Sequence, residues 1–327
     1  MPSVDVVVPS YQYARYLRGC VRSALDQDGV SVRVLIIDNA STDGSAALAR
    51  ALAAEDPRVE AILRPANLGP HASFNEGIAW ASADYFLILC ADDLLAPGAL
   101  ARATAIMGRH PNVHLTYGRT VLFNGEEAPA SPSDMPAADP GWRVVGGRDL
   151  IERFCRTGRN HCPGPSCVVR TRIQKAVGFY RPALAHTDDL ELWMRFACHG
   201  DAAETDAVQA FARVHTHNQS ASVGSLPSWD LEFEAAFDSF FANEGAGLAD
   251  HRRLARRARR SLGERAYWSA LAHIARGELR TARELAGLAL RLTPDAMLVP
   301  PVWHLARRAE APRRIAETLG LIRRPAR

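Results

Sequence analysis

The chain predicts an α/β fold: a mostly parallel sheet flanked by helices, followed by an all-helical C-terminal extension. Three observations carry this. Apolar strands and amphipathic helical segments alternate from the N-terminus, several strands end in polar residues, and from Pro227 onward the chain is almost wholly helix-forming.

Each element has its own signal. VDVVVP is a short β-branched strand, YARYLRGCVRSALDQ has helical spacing, and VRVLIID is a continuous apolar strand ending in an acid. TDGSAALARALAAE gives the next helix, VEAILRP a third strand, HASFNEGIAWAS a third helix and YFLILCA a fourth strand. LAPGALARATAIM is helical, while EEAPASPSDMPAADP, from Glu126 to Pro140, is an exposed insertion rich in turn-forming residues. GGRDLIERFCRTG reads as a helix and PSCVVRTRIQKAVG as a strand running into a helix. In TDDLELWMRFACHG the residues Leu190, Leu192, Trp193 and Phe196 make one apolar helical face.

These elements divide into a domain over 1–225, with halves at about 1–120 and 141–225, and a helical region over 226–327. In the latter, the stretch at about 266–296 resembles one tetratricopeptide hairpin, with Gly277 at its turn, Ala282 and Ala289 at close-packing positions and Pro294 ending it. One repeat cannot bury its own face, so it is expected to dock on the catalytic body or on another subunit.

Ligands of parallel sheets gather at the carboxyl ends of the strands. That places Pro9-Ser10-Tyr11, Asp38-Asn39-Ala40-Ser41 and Ala91-Asp92-Asp93 together. The last group poses a problem, because two adjacent acids follow an apolar strand. One acid would cap the next helix, but a second adds repulsion that a cation relieves. The first strand lacks a G-x-G-x-x-G loop, which removes the main signature of a dinucleotide-dependent oxidoreductase.

Composition narrows the class further. With 327 residues, 47% of them hydrophobic and 23% charged, the chain is globular, and a net charge of +3 gives no ground for a nucleic-acid partner. Cysteines at 20, 90, 155, 162, 167 and 198 form no C-x-x-C pair, which suits reduced thiols in a cytoplasm. Without a signal peptide or a membrane-length apolar window, the expectation is a cytoplasmic protein, peripheral to the inner membrane face at most. The basic run HRRLARRARR, His251 to Arg260, is either a solvated helix face or a contact for an anionic membrane or a lipid-diphosphate acceptor.

The segments VVPSYQYARYL, VLIIDNASTDGS, RPANLGPHASFNEGI, YFLILCADDLLAPGAL, VGFYRPAL and HTDDLELWMRFA occur in the order found in family-two inverting glycosyltransferases, which the chain resembles over about residues 4 to 220. The resemblance implies a GT-A fold with a Rossmann-like nucleotide-binding half and a nucleotide-sugar donor. It also implies that Asp92, at the second acid of a D-x-D motif, binds Mn²⁺ or Mg²⁺ with Asp93 in support. The first acid of that motif is replaced by Cys90, for which strand-end packing and a soft-metal contact are both open readings.

By the same resemblance Pro9, Ser10, Tyr11 and Ala91 border the nucleotide. Asp38 would accept a hydrogen bond from the base's imide N–H, which favours a UDP- or dTDP-sugar without excluding guanine; otherwise it caps a helix. Asn67 and Gly69 match an N-x-G turn at the donor, Asn75 a position facing the nucleotide, and His71 either touches phosphate or sits in solvent. Asp188 and Asp189 match an E-D motif, with Asp189 as general base for an in-line displacement, and a helix cap is the plainer alternative. His215, in ARVHTHNQSAS, is at the family's metal or phosphate contact, and Gly164, Pro165 and Ser166 border an acceptor cleft or simply form a turn. The acceptor (a glycan, a lipid-linked sugar or a small natural product) and any oligomer carry no motif. Two rivals stand beside sugar transfer. A nucleotidyltransferase would need a Gly- and Lys-rich first loop that is absent, and a non-catalytic protein would act through the helical hairpin.

Overall fold

The computed structural model describes residues 1–125, 141–215, 226–297 and 301. The Pro-rich insertion and the part of ARVHTHNQSAS after His215 lie outside them. The chain forms two compact units, one of residues 1–151 and 160–218, the other of residues 152–159 and 219–327.

In the first unit the strands β1 (Ser3–Ser10), β2 (Ser31–Asp38), β3 (Val59–Leu63) and β4 (Tyr85–Ile88) alternate with helices α1 (Ala14–Leu25), α2 (Ser45–Glu55) and α3 (Pro70–Trp80). The β-branched runs of β1 and β2 are buried on both faces, as expected for strands covered by crossover helices, while the edge strand β3 is only half-buried. α3 lies so close to β1 that a methyl group added to Gly77 would come within 2.6 Å of the Val7 side chain.

A two-residue strand β5 (Leu94–Leu95) and helix α4 (Ala99–Arg109) lead into the long β6 (Val113–Phe123), then β7 (Arg143–Val145), α5 (Gly147–Thr157), β8 (Val168–Arg170), α6 (Thr171–Val177), α7 (Asp188–Ala197) and β9 (Asp201–Arg213). All join one nine-stranded sheet in the order β3-β2-β1-β4-β8-β6-β9-β5, with β7 on β9. The β3-β2-β1-β4 half is parallel. Antiparallel pairings are confined to β4-β8, β6-β8, β5-β9 and β7-β9. The alternation in the sequence did not reveal β6, β7 or β9, because these long or edge strands carry mixed polar patterns.

The second unit holds α8 (Leu226–Ala242), α9 (His251–Ala275) and α10 (Leu279–Leu292). Leu254, Ala258, Leu262, Ala266 and Ala270, four apart along α9, are all buried. Gly277 takes φ +77° between α9 and α10, and Ala282 and Ala289 are buried. No helix among the described residues is long and apolar enough to cross a membrane.

Candidate active site

Register fixes the site. β1 pairs with β2 so that Ser10 lies opposite Asp38, and β2 with β3 so that Asp38 lies opposite Leu63. Beyond the end of β4 the ladder continues: Leu89 N–H donates to Val7 O at 2.9 Å and Ala91 N–H to Pro9 O at 3.3 Å. The buried Ala91 thus serves through its backbone, carrying Asp92 to the exit of β1.

The two loops leaving β1 and β2 are clamped together. Gln12 N–H donates to Ser41 Oγ at 2.9 Å, Tyr13 N–H to Ser45 Oγ at 3.1 Å and Ala14 N–H to Asp43 at 2.9 Å. Gln12 and Ala40, one in each loop, both have φ +62°, a conformation that costs of order 1–3 kcal/mol in a residue with a side chain and tends to mark functional sites. Pro9 and Tyr11 flank Ser10 at this rim, with Tyr11 45% exposed.

Asp38 is 1% exposed, and its two oxygens differ. Oδ2 accepts from Ser41 N–H at 3.0 Å, whereas among the described residues Oδ1 has no hydrogen-bond partner, and neither does the buried Ser10 Oγ beside it. A helix-cap role is ruled out, since α2 starts at Ser45 after Gly44. Two adjacent buried acceptors without donors are costly unless a ligand supplies the donors.

Asp92 and Asp93 do not cap the following helix either, because α4 starts at Ala99 behind Gly98. They are 5% and 7% exposed. Burial and the charge of Asp92 push Asp93 up to about 8, although Arg213 N–H donates to its Oδ1 at 3.1 Å. Burial also raises Asp92, against the pull of its own backbone N–H and of His215, whose Nε2 lies 3.1 Å from Asp92 Oδ2. His215 is held between aromatic rings, stacked on Tyr16 and edge-on to Tyr13. Arg213 Nε donates to Asp92 O at 3.1 Å, and its guanidinium lies 4.2 Å from the centre of the Tyr16 ring.

Cys90 corrects the packing reading. The residue lies at the surface and not in the core, and Cys90, Asp92 and Asp93 each bring a ligand atom within 4.8 Å of the others.

The second acid pair is tied to the same rim through α3: Asn39 Nδ2 donates to Gly69 O at 3.2 Å, and His71, in the first turn of α3, holds its Nε2 3.0 Å from Asp188 Oδ2. Desolvation, then Asp93 and Asp92, and more weakly Asp188, raise the Cys90 thiol. Asp188 and Asp189 begin α7 behind Thr187. Burial and then Asp188 push Asp189 up to about 7, against donations from Leu190 N–H at 2.7 Å and Asn160 Nδ2 at 2.8 Å. Asn160 is fixed in turn by Cys162 N–H, which donates to its Oδ1 at 2.9 Å.

Other expected residues take definite places. Asn67 Oδ1 accepts from Gly69 N–H at 2.9 Å and from Asn39 Nδ2 at 2.6 Å, closing the turn in which Gly69 adopts φ +80° with open space beside its Cα. Asn75 brackets the Tyr180 backbone, accepting from its N–H at 2.8 Å and donating to its carbonyl at 3.0 Å, so its amide orders the VGFYRPAL loop. His71 is not solvated; its Nε2 sits 3.0 Å from Asp188 Oδ2, and that carboxylate raises it. Ser166 is buried, its hydroxyl donating to Pro163 O at 2.8 Å, so Gly164-Pro165-Ser166 is a structural turn. Sequence reasoning missed Arg213, Asn160, Tyr13 and Tyr16. Arg213 lies only two residues before His215, but Asn160 is 29 residues from the acid it serves and gives no local signal.

Known proteins resemble this chain. Residues 5–178 match the family model Glycosyl transferase family 2. The succinoglycan biosynthesis protein ExoO of Rhizobium meliloti is 37% identical over 102 residues, 31% of this chain and 29% of that protein. The putative glycosyltransferase EpsE of Bacillus subtilis is 26% identical over 199 residues, 60% of this chain and 66% of that one. The chain thus spans less than a third of ExoO but about two thirds of EpsE. Among solved structures, the mannosyltransferase PcManGT of Pyrobaculum calidifontis, in complex with GDP-Man and Mn²⁺, has a TM-score of 0.59 at 18% identity over 97% of this chain and 84% of that one. S. aureus TarS 1-349 with UDP-GlcNAc has a TM-score of 0.56 at 16% identity, covering 91% and 92%. At such identities the two structures speak for the GT-A fold alone, whereas the family match covers more than half of the sequence: the chain belongs to glycosyl transferase family 2.

Proposed function

We propose that the protein transfers a sugar from a nucleoside-diphosphate donor, UDP or dTDP being favoured, to an acceptor hydroxyl with inversion at the anomeric carbon. The observation that carries this is the buried Asp92 and Asp93 at the strand exits beside the unpartnered Asp38 Oδ1 and Ser10 Oγ, with Asp188 tied to the same rim by His71. Asp38 accepts the base's imide N–H, with Pro9 and Tyr11 alongside. The Asn67–Gly69 turn lets backbone approach the donor, and Asn75 keeps the neighbouring loop in place.

Asp92, with Asp93 and Cys90 beside it, forms a donor set that fits a divalent cation: two carboxylates and a thiol whose ligand atoms lie within 4.8 Å of one another, with His215 Nε2 3.1 Å from Asp92 Oδ2. When bound, Mn²⁺ or Mg²⁺ supplies Lewis-acid stabilisation of the charge gathering on the departing diphosphate. Asp189 takes the acceptor's proton on the face opposite the leaving group. Its position near neutrality is where a general base works best, and Asn160 holds it in one orientation. PcManGT and TarS, solved with GDP-Man and UDP-GlcNAc, support a nucleotide-sugar donor, and Mn²⁺ in the former supports the cation. Membership of the family weighs against a non-catalytic role.

The test is incubation with a panel of nucleotide sugars and Mn²⁺, measuring nucleotide release by wild type, Asp92→Ala and Asp189→Asn. Release by wild type that falls in both variants is expected. A wild type that binds no donor by calorimetry ends the reading.

One observation favours a membrane contact as well. Arg252, Arg256 and Arg259 are exposed on one face of α9 and form no ion pair among the described residues, unlike Arg253 and Arg257 at Glu152 or Arg260 at Glu264. Each basic residue at an anionic surface is worth about 1 kcal/mol. Co-sedimentation with anionic vesicles that persists in Arg252→Glu/Arg256→Glu/Arg259→Glu would sink this idea.

A further inference from the structure

We propose that Cys90 is itself a ligand of the cation, through its thiolate, and that this turns the site toward thiophilic divalent ions and away from Mg²⁺. The proposal rests on the cation reading above and goes further, since it assigns the coordinating sulfur and the resulting selectivity.

The placement comes from strand alternation. Leu89 and Ala91 are fully buried, so the residue between them faces the other way, out of the core. The backbone there is pinned: Cys90 O accepts from Asp93 N–H at 2.9 Å and from Cys20 Sγ at 3.4 Å. The thiol is therefore presented by a fixed frame to the same space as the two carboxylates, with all three ligand atoms inside 4.8 Å. Metal–sulfur and metal–oxygen bonds of about 2.3 and 2.1 Å put ligands on opposite sides of one ion about 4.4 Å apart and neighbouring ligands closer. Side-chain rotation alone can close the remaining gap.

The chemistry then follows from ligand softness. On binding, the S–H bond breaks, its proton passes to solvent and a sulfur–metal bond forms, which a borderline or soft cation can drive. Mg²⁺ demands oxygen ligands and sheds water reluctantly, so a sulfur in place of a carboxylate weakens it most. Cys20, Cys155, Cys162 and Cys167 are buried, which leaves Cys198 as the other exposed thiol and the natural control.

The experiment is a Co²⁺ titration of the full chain with UDP present, followed by absorption, alongside Mn²⁺ binding measured by electron paramagnetic resonance. A near-ultraviolet sulfur-to-cobalt charge-transfer band is expected in wild type and Cys198→Ser and should vanish in Cys90→Ser. Cys90→Asp should shift preference between Mg²⁺ and Co²⁺ toward Mg²⁺ by about tenfold or more. A band that survives Cys90→Ser overturns the proposal. Mn²⁺ binding without any cobalt band overturns the thiolate ligand while leaving the sugar-transfer reading intact. If neither ion binds wild type, and Asp92→Asn behaves identically, the cation reading falls with it.

Discussion

The strand-exit rim and the helical unit treat buried acids in opposite ways. Among the described residues of the helical unit each buried carboxylate meets an arginine: Asp230 takes Arg265 Nε at 2.8 Å, Glu234 takes both terminal Arg291 nitrogens and Glu264 takes Arg260 Nε at 2.8 Å. At the rim, Asp38 has backbone and nothing else, Asp93 has a backbone N–H, Asp189 has an asparagine, and Asp92 and Asp188 have one histidine each. An arginine partner completes an acid and makes it structural. Acids left without one are a standing electrostatic cost, and the residue types gathered there are those that bind a cation, a base N–H or a proton.

The largest effect that would break this contrast is at Asp189. Asp189→Asn should lower transfer about 10²- to 10⁴-fold while leaving donor binding unchanged, as read by steady-state kinetics beside calorimetry. Normal turnover would return Asp189 to the structural class. In the helical unit, Asp230→Ala strands Arg265 and should cost about 3–5 kcal/mol of stability in denaturant unfolding. It should do so with donor affinity intact; lost donor binding at full stability would blur the two regions.

Overpacking comes next. Gly77→Ala drives a methyl group into Val7 and should cost about 1–3 kcal/mol, seen as a lower unfolding midpoint.

A pH experiment sharpens the comparison from another side. Asp93 is raised to about 8 in the fold, so its contribution is fully present below the ordinary carboxylate range and is lost as pH climbs through about 8. The cation-free protein should therefore lose melting temperature over that window, and Mn²⁺ should restore it. A flat profile would mean that the rim acids are already compensated.

The smallest effect concerns Asn160. With Asp189 as the proposed base, working deprotonated, the rate should rise with pH and level off above about 7. Asn160→Ala removes a donor to the charged form and should move that inflection upward by about one unit, while Asn160→Asp should move it further. A uniform loss of rate at every pH would mark Asn160 as scaffolding only.

Much of this was legible beforehand, for reasons tied to particular residues. The run VDVVVP and the run VRVLIID could only be buried strands, and their polar exits had to share one edge. The acid pairs at 92–93 and 188–189 stood out because like charges side by side need a reason. Local signals misled where a side chain's partner is remote. Asn75 grips Tyr180, 105 residues away, and His71 pairs with Asp188, so neither could be assigned from its own neighbourhood.

The amino-acid order by itself determined the parallel half-sheet, the helical extension and the types of chemistry at the strand exits, because those depend on periodicity and on charge, which are local. Only the tertiary structure decided which acids are satisfied. How a carboxylate is satisfied depends on what a distant strand or loop brings within about 3 Å: the end of β9 delivers the Arg213 N–H to Asp93, the chain just beyond it brings His215 to Asp92, and the segment before Cys162 delivers Asn160 to Asp189. Hydrogen bonds act over that range alone, and sequence distance carries no record of it.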